Sequence, residues 1–108
     1  MPISLTSGIL AAAKPTANSF QDLWTCPSGK SGTFSIYVSN LGSNSCEIFI
    51  RAVKSGDTPG DQHVILHTVM PGVSSWNLTG IALGSGDKIQ VMSNTGNTSF
   101  VLMGVLTS

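Results

Sequence analysis

From about residue 19 onward, apolar and polar side chains alternate with a period of two. Clusters of Gly, Pro, Asn, Asp and Ser interrupt the alternation roughly every ten residues. A period of two places successive side chains on opposite faces of an extended chain, so the pattern predicts short strands, each with one dry face and one wet face. Ser19 to Cys26 reads as a first strand, stopped by Pro27-Ser28-Gly29-Lys30. In the next, Phe34, Ile36 and Val38 oppose Ser35, Tyr37 and Ser39. Asn40 to Asn44 turns the chain into Cys46 to Val53, where Ile48 and Ile50 face away from Phe49, Arg51 and Val53.

Ser55 to Asp61 is a loop, and Gln62 to Met70 reads as a strand with Val64, Leu66 and Met70 opposed to Ile65 and Val69. Beyond Pro71-Gly72, Trp76, Leu78 and Ile81 to Leu83 form shorter apolar segments broken by Gly80. Gly84 to Asp87 leads tightly into Lys88 to Ser93, and Asn94 to Asn97 closes a hairpin into Ser99 to Leu106. Seven or eight strands with no room for crossover helices predict an all-β antiparallel sandwich, jelly-roll or immunoglobulin-like. The sandwich domain is expected over residues 16–108. Residues 1–15 form an edge strand, a short helical turn or an arm reaching onto a neighbouring subunit. The arm is preferred, because Ile3, Leu5, Ile9 and Leu10 need a surface to cover them.

Charge sets the next constraint. Lys, Arg, Asp and Glu make up 9% of the 108 residues and balance to zero, against roughly 25% in an ordinary soluble domain. No basic cluster of the kind that grips nucleic acid is present. A surface built from Ser, Thr, Asn, Gln and Gly can be covered without stripping water from ions, which suits permanent contact between subunits. The first fifteen residues lack the basic start and long apolar run of a secretory signal, and nothing is long enough for a membrane span. Synthesis in the cytoplasm is therefore expected, with Cys26 and Cys46 reduced and acting as small buried hydrophobes.

Motifs for chemistry are weak. Gly29-Lys30-Ser31 resembles the end of a phosphate-binding loop, but Trp24 stands where that motif needs glycine and a strand follows instead of a helix. His63 and His67 on one strand would lie about 13 Å apart, too far to share a metal ion. Asp57 and Asp61 read as solvated turn residues. No Gly-x-Ser-x-Gly elbow occurs, and the few carboxylates lie mostly in turns. No catalytic residue, metal or cofactor is expected. Trp24, Trp76, Tyr37 and the Phe residues are candidates for a sugar-stacking platform, but they read better as core and interface residues because they lie inside alternating strands.

Phe20 to Lys30, the strand Thr33 to Asn40 with its Asn-Leu-Gly-Ser turn, and Leu83-Gly84-Ser85-Gly86-Asp87-Lys88-Ile89-Gln90-Val91 carry a resemblance. Together they resemble a family of small phage and prophage β-sandwich proteins. That family has a tyrosine-threonine-valine-proline-alanine-glycine-lysine segment, then an Ile- and Val-rich strand, and a late leucine-x-x-glycine-aspartate-x-isoleucine. The similarity runs from about residue 9 to residue 106, over short and largely structural motifs. Trp24 stands where the family usually has tyrosine, and Cys26 where valine is common. The resemblance implies a virion component without catalytic residues: a capsid decoration protein first, then a neck, tail, baseplate or fibre-attachment adaptor. Its partners would be the major capsid protein or tail and neck proteins, with a homotrimer or other cyclic oligomer as the expected assembly. Ile3, Leu5, Ile9, Leu10, Trp24 and Trp76 are the expected interface residues, and a glycan-binding module is the alternative.

Overall fold

The computed structural model describes residues 5–107. Eight strands form in chain order: β1 (Leu5–Ala13), β2 (Gln21–Thr25), β3 (Ser31–Asn40), β4 (Cys46–Val53), β5 (Val64–Met70), β6 (Ser74–Leu83), β7 (Lys88–Ser93) and β8 (Thr98–Thr107). They build two four-stranded sheets, ordered β1-β8-β3-β6 and β2-β7-β4-β5, and every pairing is antiparallel. β1 pairs with β8, β2 with β7, β3 with β6 and β4 with β5, so each strand meets its counterpart from the other end of the chain. That is a long hairpin rolled up so that successive pairs alternate between two sheets, the jelly-roll winding.

The alternation explains the core. Phe34, Ile36 and Val38 of β3 and Phe100, Leu102 and Leu106 of β8 turn inward from one sheet, toward Ile48 and Ile50 of β4 and Ile89 and Val91 of β7. Each such side chain contributes roughly 1.5–3 kcal/mol on leaving water. The Phe34 ring occupies space left by two inward-facing glycines: a Cβ on Gly32 would lie 2.7 Å from its Cζ, and one on Gly104 2.9 Å from its Cδ1. Trp24 tilts against the same ring, with centroids 5.0 Å apart. The buried polar side chains of Asn40, Ser93 and Thr98 find local partners. Asn40 donates to the carbonyls of Asn44 and Pro71 and accepts from Gly42 N–H, joining two turns at one end of the roll. Ser93 and Thr98 hydrogen-bond at 2.7 Å, and Thr98 donates to the Cys46 sulfur.

Several expectations change in this structure. Residues 5–13 are an edge strand of the same sheet, hydrogen-bonded along β8, in place of the preferred free arm; the pairing satisfies the backbone, while the Leu5 and Ile9 side chains stay exposed. Ile3 lies outside the described residues. The segments around Trp76 and Ile81 are one continuous strand, because Gly80, at φ +75°, absorbs an extra residue as a β-bulge. In β5 an extra residue at Ile65 shifts the register, so Val64 pairs with Arg51 on the outer side instead of sharing the inner face with Leu66. Val53 is buried at the end of β4 despite its outward parity. His63 sits in a 3-10 turn (Asp61–His63) ahead of β5, off the strand that carries His67.

The bulges follow a rule. β1 and β6 are the edges of one sheet and β2 and β5 the edges of the other, and each of these four strands holds one extra residue against its neighbour. A bulge bends the strand and disrupts the row of free N–H and C=O groups, which protects an edge against strand addition.

Candidate interaction surface

None of the ten charged residues falls in β1, β3, β6 or β8. The winding gathers these four separate segments into one sheet, whose outer face therefore carries no formal charge. By register, Leu5, Ile9, Val101, Met103 and Val105 of β1 and β8 stand on that face beside Tyr37 of β3. Leu5 is 68% exposed, Ile9 70%, Val105 43% and Tyr37 42%. The rest of the face is neutral and small: Ser7, Thr33, Ser35, Ser39 and Ser99 surround the apolar strip.

The opposite sheet holds charges and pairs them internally. Asp22 accepts from Gln90 at 2.8 Å and lies 3.6 Å from Lys88. The Arg51 guanidinium stands 3.5 Å over the Phe20 ring and 3.7 Å from Asp61. Phe20 meets Phe49 edge-on, Phe49 stacks on His67 at 4.0 Å, and His67 hydrogen-bonds Glu47 at 2.8 Å. This ladder runs across the outer face of the second sheet and was not read from the sequence; the apolar Phe20 and Phe49 among charged neighbours were its only signal.

The expected interface residues separate. Leu5 and Ile9 stand on the charge-free face, whereas the bulge in β1 turns Leu10 toward the core, where it is partly buried. Trp24 is partly buried against the core on β2, and Trp76 is 44% exposed on β6. β6 is the far edge of its sheet from β1, and β2 lies beside β1, so the two tryptophans occupy opposite sides of the roll. They do not form a common stacking platform. Tyr37 and Val105, the other exposed members of the face, were legible only as members of alternating strands.

The titratable groups close loops. His63 accepts from Gly60 N–H at Nδ1 and hydrogen-bonds Asp57 through Nε2 at 3.2 Å, so both ring nitrogens are occupied in folding residues 57–63. Cys26 and Cys46 are buried and free, and burial pushes the Cys26 thiol up, reinforced by the nearby Asp87 charge and opposed by Lys30. No group of three metal-ligating side chains exists among the described residues, and no helix there is long and apolar enough to cross a membrane. Gly29 and Lys30 lie at the turn closed by Lys30 N–H on the Pro27 carbonyl, and Ser31 already begins β3.

Asp87 anchors the most connected turn. Its carboxylate accepts from the Ser55 and Gly84 N–H groups at 2.9 Å each, and its backbone N–H and C=O bond Gly84 and Cys26. The Ser55 and then the Gly84 hydrogen bond hold its pKa below the usual carboxylate range, with Lys54 assisting and burial opposing. A depressed folded-state pKa means stability present above the unfolded value near 3.9 and lost as pH falls through the lower folded value. Replacing Asp87 by Ala should therefore cost about 1–2 kcal/mol at neutral pH, the modest end for charge-assisted bonds at a partly exposed site. Urea melts in a pH series should show that difference shrinking below about pH 4; a difference independent of pH would contradict the assignment.

The molecule is thus an eight-stranded jelly roll with an uncharged sheet face. No protein-family model matches the chain, and no curated protein matches it in sequence.

Proposed function

We propose that this chain is a structural, non-enzymatic component of a bacteriophage particle, a capsid decoration protein that stabilises joints between capsomers. The observation that carries the reading is the charge-free outer face of β1-β8-β3-β6, with exposed Leu5, Ile9, Tyr37 and Val105 set among hydroxyl side chains. Such a face loses little on desolvation and gains from apolar cover, whereas a face kept in water gains nothing from lacking charge. The short motifs shared with small phage sandwich proteins point the same way. The jelly roll itself recurs in viral capsid domains, lectins and cupins, so it supports an architecture and leaves the function to the surface. A neck, tail, baseplate or fibre-attachment adaptor would use the same face at another position. A glycan-binding module is less well supported, because Trp24 and Trp76 stand on opposite sides of the roll.

Particles banded on a density gradient from a culture of the source, followed by quantitative protein mass spectrometry, test the reading. The chain should co-band with the major capsid protein at a copy number set by the capsid lattice. A copy number of one small ring would move it to the neck or tail. Its absence from the particles would overturn the virion assignment.

A further inference from the structure

We infer that the outer face of β1-β8-β3-β6 binds a second copy of this chain about a two-fold axis. The inference deepens the structural reading above and rests on it: a second copy is what covers the charge-free face, so the pair is the unit that would join capsomers. Three observations select this occupant and this face. First, a two-fold contact sets one patch against itself, so a charge near the axis meets its own sign. The face without charges is the one that tolerates that arrangement, and the ion-paired face of β2-β7-β4-β5 is not. Second, the bulges on β1, β6, β2 and β5 obstruct assembly by edge-to-edge strand addition, leaving contact through a face.

Third, the size fits. β3, β6 and β8 have 10 residues each and β1 has 9. At about 3.3 Å per residue and 4.8 Å between strands, four such strands present roughly 600 Å². Two copies then bury about 1,200 Å², the lower bound of a stable specific interface. The apolar strip of Ile9, Met103, Val101 and Val105 would form the centre, with Tyr37 beside it as a side chain that can be covered while its hydroxyl finds a partner. The serine and threonine hydroxyls form a neutral rim. A two-fold pair is the smallest of the cyclic oligomers expected from the sequence.

Three of the four methionines provide the test in the full-length chain. Met103 stands on the proposed face, Met92 on the outer face of the opposite sheet, and Met70 in the core. With methyl-labelled methionine, dilution from millimolar to micromolar protein should move the Met103 resonance in step with a fall from dimer to monomer mass by sedimentation, while Met70 and Met92 stay fixed. Val105→Lys should raise the dissociation constant by about a hundred-fold or more, because it places an unpaired ammonium in a covered face. Val69→Lys, at a more exposed valine on the outer face of the other sheet, should leave it unchanged. A dimer that perturbs Met92 and responds to Val69→Lys would overturn the inference, as would a monomer at every concentration. Neither outcome removes the chain from gradient-purified particles, so the inference and the virion reading fail separately.

Discussion

Truncating Phe34 to Ala is expected to lower the free energy of unfolding by about 3–5 kcal/mol. The side chain is 1% exposed and lies between the sheets, with Trp24 tilted against it and Gly32 and Gly104 beside it. Two glycines have no side chains with which to collapse into the vacated space, so the cavity should persist and the cost should fall toward the upper end. A domain of this length is stable by only about 5–15 kcal/mol in total, so the loss removes a large share of that total and brings the variant near half-unfolding at the low end of the range. Urea denaturation followed by tryptophan fluorescence measures both consequences: a lowered midpoint, and red-shifted native emission as Trp24 loses its apolar neighbour. A loss of about 0.5 kcal/mol or less, the scale of an ordinary surface change, would show that Phe34 is not the centre of this packing.

Substitution at Gly104 attacks the same region from the opposite direction. An added Cβ would overlap the Thr33 carbonyl oxygen and come within 2.8 Å of the Phe34 Cα, both backbone atoms of the paired strand β3. Backbone cannot rotate aside, so Gly104→Val must separate β8 from β3 or displace the Phe34 ring. The expected cost is about 3 kcal/mol or more, at the severe end of overpacking. Gly96→Ala is the matched control, since its Cβ would enter open space. Thermal melts of the two variants should differ by more than about 10 °C, given 4–8 °C per kcal/mol in a small domain. Equal melting temperatures would mean that β3 and β8 tolerate a wider separation than this register allows.

Phe34 illustrates what the sequence revealed, whereas nothing in the sequence marked Gly104. Phe34 was legible as an inward residue because its neighbours alternate cleanly, and the same rule found Ile36, Val38, Ile48 and Ile50. The strict alternation hides bulges, because one inserted residue reverses the face of everything beyond it. Leu10, Leu23 and Ile65 are such insertions, and no local feature of their side chains marks them. Gly80 did mark one, but it was read as a break between strands. His63 followed the alternating pattern while its backbone was captured by the turn that it closes with Gly60 and Asp57.

The interaction surface was half legible for a different reason. The shortage of charge is visible in composition, and four uncharged segments can be marked along the chain. That β1, β3, β6 and β8 share one sheet is a property of the winding, since none of the four is next to another in the chain. Leu5 and Ile9 were selected for their exposure, and they stand on the face that the winding creates. Trp24 and Trp76 were selected for their size, which locates large side chains without saying which side of the roll they occupy.

Electron cryomicroscopic reconstruction of the intact particle tests the central claim most directly. The account predicts density for this jelly roll with the outer face of β1-β8-β3-β6 covered by a second copy, and Ile9, Tyr37 and Val105 out of contact with solvent. A particle in which that face lies open to water, or in which the chain has no density at all, would contradict it.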